Sequence, residues 1–555
     1  MDKFLFERNL LALSPRDPAL CSRLSAAETT LGRYKCIESR SGEPVPAWVD
    51  PSGAAHPLHS LVDPRREGRR LISTLGDEGF LVFLGLGGGY AVQAALERDD
   101  THQALVIEYD INGIAELLSS QDYIALFKDP RFSLIVDPSG AAVEACILEL
   151  YKPVLHGGIR SIPLRARTSF DQGSFAAAGE AVKSAVDRVS GDYSVQAYFG
   201  KRWFSNILRN LFAAEGCTEP FPRTRNAAII AAGPSLDRQL PALAERRGER
   251  FLIAADTSLP SLLAARLEPD AVISIDCQHI SYYHFLGGMP RRIPLYLDLA
   301  SPPLLASLSD HVRFFTGGHP LERYVSQYWR SLPALDTSGA NVTYAALSLA
   351  ESLGAVRIEL YGADFAYPRG RTYARGTYIY PYFAKQQSRL KPLEALFSAF
   401  LYRNPSLTRC NGATDAGWYY ETKALRMYRE RLEAKIPAAG AEVIPIPGGG
   451  APIAAVKGRT GPRPLTLVSP GKAAMGAAAF LDRYRKSIAA LPPMRGKPPA
   501  YPGSLGAEER LIFTTLLPAA AAIRSRRPEL KDGGLLEELR RCCLGELDMV
   551  LNQMP

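Results

Sequence analysis

Four strand ends between Asn226 and Tyr378 carry the residues best suited to chemistry, and that chemistry is the binding of an anion. The run Asn226-Ala-Ala-Ile-Ile-Ala-Ala-Gly-Pro-Ser-Leu-Asp237 is short, apolar and closed by Gly233, Pro234 and Ser235. It reads as a buried strand feeding a helix, with Gly233 making the sharp turn and Pro234 and Ser235 suited to the first helical turn. Helix-start amides lack intrahelical partners, so this turn can seat an anion, and the Ser235 hydroxyl adds a donor. Three further apolar runs end in acids. Phe251 to Asp256 is followed by Thr257 and Ser258, Ala271 to Asp276 by Cys277, Gln278 and His279, and Ile358 to Asp364 has Gly362 just before its acid. Acids at the carboxyl ends of neighbouring parallel strands share one crevice, the usual ligand site of open α/β sheets.

Two more stretches belong with that crevice. In Asp336-Thr-Ser-Gly-Ala-Asn-Val-Thr-Tyr344, Ser338 and Gly339 are placed to open a helix that continues through Ala345 to Ala350, which would make a second anion cradle. Directly after Asp364, a glycine-punctuated loop carries Tyr367, Arg369, Arg371, Tyr373, Arg375 and Tyr378. Its arginines suit phosphates, its tyrosines suit stacking on a base or sugar, and it is expected to close over a substrate. His279 and His284 lie just past the Asp276 strand end, where a histidine either touches a ligand as a base or lines a loop.

The elements that position these groups follow from composition and periodicity. The chain has 555 residues, too many for one core, with 46% hydrophobic and 22% charged residues, the balance of a globular protein. A net charge of +8, from 65 basic against 57 acidic residues, needs no nucleic-acid partner. No apolar run reaches membrane-spanning length, and the start has no apolar leader core. Eight scattered cysteines imply neither a disulfide framework nor a zinc site, so a cytoplasmic location is expected.

Near the start, Tyr34 to Glu38 and Val45 to Val49 suggest a small antiparallel element. Phe80 to Leu84, the turn Gly85-Leu-Gly-Gly-Gly89 and Tyr90 to Leu96 form a first βα unit, and Glu108 ends the next strand where a Rossmann fold places its ribose-binding acid. Residues 173–213 read as a helical connector. Ile444-Pro-Ile-Pro-Gly-Gly-Gly-Ala-Pro452 breaks helices and has no phosphate-loop lysine to give it a chemical role. Ile453 to Pro502 alternates helix-like pieces with proline and glycine. Glu508 to Leu551 has helical periodicity, suiting a cap or a self-association surface and hence a homo-oligomer. The expected architecture is α/β: residues 1–215 a Rossmann-like N-terminal domain with a small leading subdomain, 220–400 a central catalytic α/β domain, and 401–555 a mainly helical region.

The central stretch resembles the motility-accessory-factor family of flagellin glycosyltransferases. That group's core domain is similar to 6-hydroxymethylpterin pyrophosphokinase-like proteins and to bacterial sialyltransferases that use CMP-sialic acid. The resemblance is carried by Ala232-Gly-Pro-Ser-Leu236, Ala255-Asp-Thr-Ser258, Pro269 to Asp276, Ser338-Gly339 and Tyr361-Gly-Ala-Asp-Phe-Ala-Tyr-Pro368. His59 to Pro64 and the Gly85 to Gly89 turn fit the same architecture. The resemblance implies a sialyltransferase-like central fold and transfer of a nonulosonic acid, pseudaminic or legionaminic in type, from a CMP-activated donor to serine or threonine of flagellin.

Carried over, Gly233, Pro234 and Ser235 would face the donor phosphate, and Asp256 and Asp276, with Ser258 and Gln278 beside them, would line the nucleotide side. Ser338, Gly339 and Asn341 would approach from the opposite helix start. The sialyltransferases place a histidine base on the loop after the Gly-Ala-Asp strand. Here Tyr373 stands nearest, flanked by Arg371 and Arg375, which leaves the base unassigned; neighbouring arginines would have to lower its pKa. The acids Asp256, Asp276 and Asp364 would orient sugar hydroxyls or hold magnesium. Two rivals stand beside this reading: a pterin-alcohol pyrophosphokinase using ATP and magnesium, and a flagellin-binding assembly factor with a degenerate cleft.

Overall fold

The computed structural model describes residues 2–29, 31–412, 417–454, 468–493, 498–530 and 533–553. The chain divides into two compact units. The first holds residues 1–198, 492–506 and 520–537, and the second holds 199–491, 507–519 and 538–555. The helical end is therefore divided between the two units, in place of the separate region expected at 401–555. The stretch from Lys201 to Gly216 belongs to the second unit, although it continues a helix, Gln172–Gly216, that begins in the first.

In the first unit, β1 (Tyr34–Glu38), β2 (Pro44–Val49) and β3 (Ala55–Pro57) form the expected small antiparallel element. A second sheet has the order β6-β5-β4-β7, built from β4 (Phe80–Leu84), β5 (Gln103–Glu108), β6 (Phe132–Val136) and β7 (Ile159–Pro163), all parallel. Its central strands β4 and β5 are apolar along almost their whole length because helices cover both faces, as parallel sheets require.

The second unit is built on seven strands. They are β8 (Asn226–Ile230), β9 (Phe251–Ala255), β10 (Ala271–Ser274), β11 (Leu295–Asp298), β12 (Val312–Phe315), β13 (Arg357–Tyr361) and β17 (Glu442–Pro445). The order is β12-β11-β10-β9-β8-β13-β17, and every pairing is parallel. Strands β8 to β12 add one after another in one direction, and β13 then returns to the other side of β8. The order reverses between β8 and β13, which is the position where open α/β sheets bind ligands. Ile229, Ile253, Ile273 and Ile358 are fully buried on these strands, and each such side chain contributes about 2 kcal/mol to stability.

The helix Val342–Ser352 packs across β8, β9 and β10 with all of residues 343–350 buried. At the amino ends of β9 and β13, Arg250 and Glu359 form a buried bidentate pair at 2.7 and 2.9 Å, with the Tyr361 hydroxyl donating to the same carboxylate. Each of these two buried charges thus has the other as its partner.

The described residues after 400 are mainly helical, yet strands occur among them as well. β14 (Tyr367–Pro368), β15 (Thr408–Asn411) and β16 (Trp418–Glu421) make a small antiparallel sheet of order β14-β16-β15, and β17 joins the main sheet. Alternation over four residues was too short a signal beside the surrounding helical periodicity. The reading of 453–502 falls partly on residues 455–467 and 494–497, which lie outside the described residues; within the rest of it, Ala477–Ala490 is a helix. The described part of the tail forms Ala507–Arg526 and Gly533–Asn552. No helix among the described residues is long and apolar enough to cross a membrane.

Candidate functional site

A cleft of about 210 Å³ opens at the carboxyl ends of β8, β9 and β13, where the strand order reverses. Ala231 to Gly233 form one wall and Gly362 to Tyr367 another. Ala255 and Thr257 come from the end of β9, and Asn341 to Thr343 from the start of the helix behind. Thr372 and Tyr373 of the arginine-rich loop and Leu425 and Tyr428 of the helix Lys423–Lys435 complete it. Of the residues expected to bind or act on a donor, Gly233, Asn341, Asp364 and Tyr373 line this cleft, as does Tyr367, expected only to stack. The other nine, Pro234, Ser235, Asp256, Ser258, Asp276, Gln278, Ser338, Gly339 and Arg371, stand behind or beside it.

The Gly-Pro-Ser turn is occupied from within. The Ser235 amide donates to Asp364 Oδ2 at 2.8 Å and the Ser235 hydroxyl to Asp364 Oδ1 at 2.5 Å. The helix start therefore already holds an anion, the protein's own carboxylate, and this corrects the expectation that Ser235 faces a phosphate. Burial raises the Asp364 carboxyl against the opposing effect of these bonds. The Pro-Gly-Gly-Gly segment, which sequence left without a role, closes over the pair. Gly449 donates its amide to the Ser235 hydroxyl at 2.8 Å, and a Cβ on Gly448 or Gly450 would collide with Ser235 or Asp364. Glycine is required there because backbone meets backbone and carboxylate directly. Phe365, next to Asp364, holds φ at 43°, a left-handed conformation costly for an aromatic residue and located at the cleft wall.

The acids after β9 and β10 are also held by protein donors. Asp256 is 2% exposed, and its Oδ1 accepts from the Thr257 amide at 2.7 Å and the Thr257 hydroxyl at 3.1 Å. Its Oδ2 accepts from the Ser274 hydroxyl at 2.6 Å. Asp276 accepts from the Gln278 amide at 2.9 Å; burial, and then the charge of Asp256, raise its carboxyl. Ser258 is fully buried and donates to the carbonyls of Ile230 and Ala255, so it joins β8 to β9 and does not face a ligand. Among the described residues no three side chains of the metal-ligating types converge on one position. Asp256, Asp276 and Asp364 are each bonded to protein donors of their own.

The second helix start begins three residues later than Ser338 and Gly339 suggested. Asn341 is its cap, with Oδ1 accepting from the Tyr344 amide at 3.0 Å. Ser338 instead donates its amide and hydroxyl to Asp336, at 3.0 and 2.7 Å, and Gly339 packs against the Tyr344 ring. The sequence offered two small residues and an asparagine, and the cap went to the one whose side chain reaches an amide three positions on. Asn341, Val342 and Thr343 therefore bring a helix amino terminus to the cleft.

On the loop, Arg371 pairs with Asp237, and the Arg375 amide donates to the same acid at 2.9 Å. Burial, with Tyr378 and Tyr367 close by, pushes the Tyr373 phenol up, which overturns the idea of an arginine-activated tyrosine base. Sequence gave Thr257 no role of its own and missed Tyr428 and Leu425. The last two lie on a helix that reads as an ordinary surface helix, and only the fold brings it to the cleft.

The Gly85 to Gly89 turn of the first unit is closed in the same manner. The Gly88 amide donates to His59 Nε2 at 2.8 Å, the Leu86 amide to Glu108 Oε1 at 2.7 Å, and the Tyr123 hydroxyl donates to the Gly87 carbonyl at 2.5 Å. Glu108 is 1% exposed and faces the buried Arg167. The acid in the ribose-binding position is thus a structural partner of the turn.

Residues 201–370 match the family described as 6-hydroxymethylpterin diphosphokinase MptE-like. Two uncharacterized proteins of Treponema pallidum (strain Nichols) are similar. One is 35% identical over 160 residues, covering 28% of this chain and 56% of that protein, and the other 34% identical over 139 residues, covering 24% and 66%. The matched segments thus span between about half and two thirds of those relatives. The structure of the MAf glycosyltransferase from Magnetospirillum magneticum AMB-1 superposes over 100% of this chain and 95% of its own, with a TM-score of 0.60 at 13% identity. The chain resembles the MptE-like and motility-accessory-factor group, and it shares the mixed α/β fold of that glycosyltransferase.

Proposed function

We propose that the second unit is a nucleotide-sugar-dependent glycosyltransferase, and that its donor is a CMP-activated nonulosonic acid passed to serine or threonine of flagellin. The observation that supports this most is the composition of the cleft at the β8/β13 reversal. A helix amino terminus at Asn341 to Thr343 faces a wall of Phe365, Tyr367, Tyr373 and Tyr428. The helix start suits the donor phosphate and the aromatic wall suits a base and a sugar ring. As the glycosidic bond breaks, charge grows on the departing phosphate. One preorganised donor aimed at it is worth about 3 kcal/mol in the transition state. With Ser235 committed to Asp364, this role falls on the Val342 and Thr343 amides.

Isothermal calorimetry of the full chain with CMP tests the reading. The expected result is binding at one site per chain, weakened by Tyr428→Ala, together with a sugar-sized mass increase on flagellin co-expressed with the chain and its donor pathway. A folded chain that takes up no CMP would refute it.

The MptE-like match over 201–370 favours a second reading, a pyrophosphokinase acting on a pterin alcohol. It calls for AMP formation from ATP in the presence of hydroxymethylpterin and magnesium. The separate bonding of Asp256, Asp276 and Asp364 weighs against it.

A further inference from the structure

Thr257 is the one polar residue from the end of β9 that reaches the cleft, and it has a histidine behind it. Its hydroxyl lies between Asp256 Oδ1, at 3.1 Å, and His284 Nε2, at 3.4 Å. The other nitrogen of that imidazole, Nδ1, is buried without a hydrogen-bond partner. The ring stands edge-on to Tyr378 with centroids 4.7 Å apart, which fixes its plane. Asp256 is itself immobilised by Ser274 and by the Thr257 amide.

We propose that Thr257 and His284 form a proton relay, in which the Thr257 hydroxyl turns from Asp256 Oδ1 to His284 Nε2, passes its own proton to that nitrogen and takes the proton of the acceptor hydroxyl on Oγ1. The inference rests on the glycosyltransferase reading above. In the transfer step, the acceptor oxygen forms a bond to the anomeric carbon as its O–H bond breaks. The bond from that carbon to the phosphate oxygen breaks at the same time, and its electron pair leaves with CMP. One proton moves from acceptor to imidazole, and Thr257 ends as it began, with one hydrogen. The 3.4 Å spacing is that of a relay at rest, since such bonds tighten when substrate is bound.

The test uses the full-length chain, flagellin and CMP-nonulosonate, with transfer followed by intact mass and CMP affinity by calorimetry. His284→Gln keeps a group able to bond Thr257 but cannot accept a proton, and Thr257→Val removes the hydroxyl at nearly constant shape. Both are expected to lower the rate at saturating donor by about 100-fold or more, the usual range for a lost general base, with CMP affinity unchanged in His284→Gln. Thr257→Ser, which retains the hydroxyl, is expected to keep most of the rate. Wild-type turnover in His284→Gln or in Thr257→Val overturns the relay, and so does a rate lost only in step with CMP affinity. A wild type that binds no CMP overturns the donor reading and the relay with it, whereas a wild type that binds and transfers while His284→Gln does the same removes the relay alone.

Discussion

Asp364 shows how much can depend on one carboxylate. It follows the strand next to the site, and its two oxygens take both donors that Ser235 offers, where the side chain is almost wholly buried. Hydrogen bonds to a buried charge are worth about 1.5–3 kcal/mol each. Asp364→Ala is therefore expected to destabilise the second unit by about 3 kcal/mol in urea unfolding and to abolish nucleotide binding as a consequence. Tyr428→Ala, at the open side of the cleft, is expected to weaken CMP binding with an unchanged unfolding midpoint. If Asp364→Ala kept its stability and lost only binding, the carboxylate would be facing a ligand after all. Tyr373 illustrates the complementary point, that a phenol made harder to ionise by burial serves as a wall and not as a base at neutral pH.

Among elements, the second half of the long helix does the positioning. Asn206 Nδ2 donates to the carbonyls of Cys277 and Ala300, at 3.1 and 2.8 Å, and Asn210 Nδ2 to those of Leu299 and Ser301, at 2.8 and 2.7 Å. One turn apart on the same helix face, the two amides hold four carbonyls at the ends of β10 and β11 and thereby fix the loop carrying Asp276 and Gln278. Asn206→Leu leaves two of these carbonyls buried without a donor. The expected cost is about 2 kcal/mol by denaturant unfolding, with looser hydrogen-exchange protection confined to residues following β10 and β11. Unchanged protection there would show that the helix only covers the loop.

At the scale of the whole molecule, the two units contain the same local device, a glycine-bearing turn after a strand, and in both the turn is filled by side chains of the chain itself. In the second unit an open cleft remains beside it, which is why one nucleotide per chain is expected. The first unit also carries a pH dependence. Burial holds the His156 imidazole down to about 4, against 6.5 in an exposed chain. Unfolded chain takes up that proton near 6.5 and folded chain does not, so the stabilising effect of neutral His156 is complete above 6.5 and is lost as pH falls through about 4. Relative to His156→Gln, which cannot titrate, wild type is expected to lose thermal stability steadily between those values. Parallel curves for the two proteins over that range would show that His156 does not charge on unfolding.

The sequence alone determined the strands at 80–84, 226–230, 251–255 and 357–361 and the turn at Gly233. Apolar runs of that length, bounded by glycine, proline and acids, leave a chain in water few other arrangements. It also made the crevice at their carboxyl ends legible, because parallel strands bring their ends to one side of a sheet. Only the tertiary structure decided which polar atom meets which. Ser235 and Asp364 are 129 positions apart, and Ser235 and Gly449 are 214 apart. A carboxylate at a strand end looks the same in sequence whether it waits for a ligand or already closes a helix. The choice is made by the order of strands in the sheet and by the cost of leaving a buried donor unpaired, and both are set by contacts far apart along the chain.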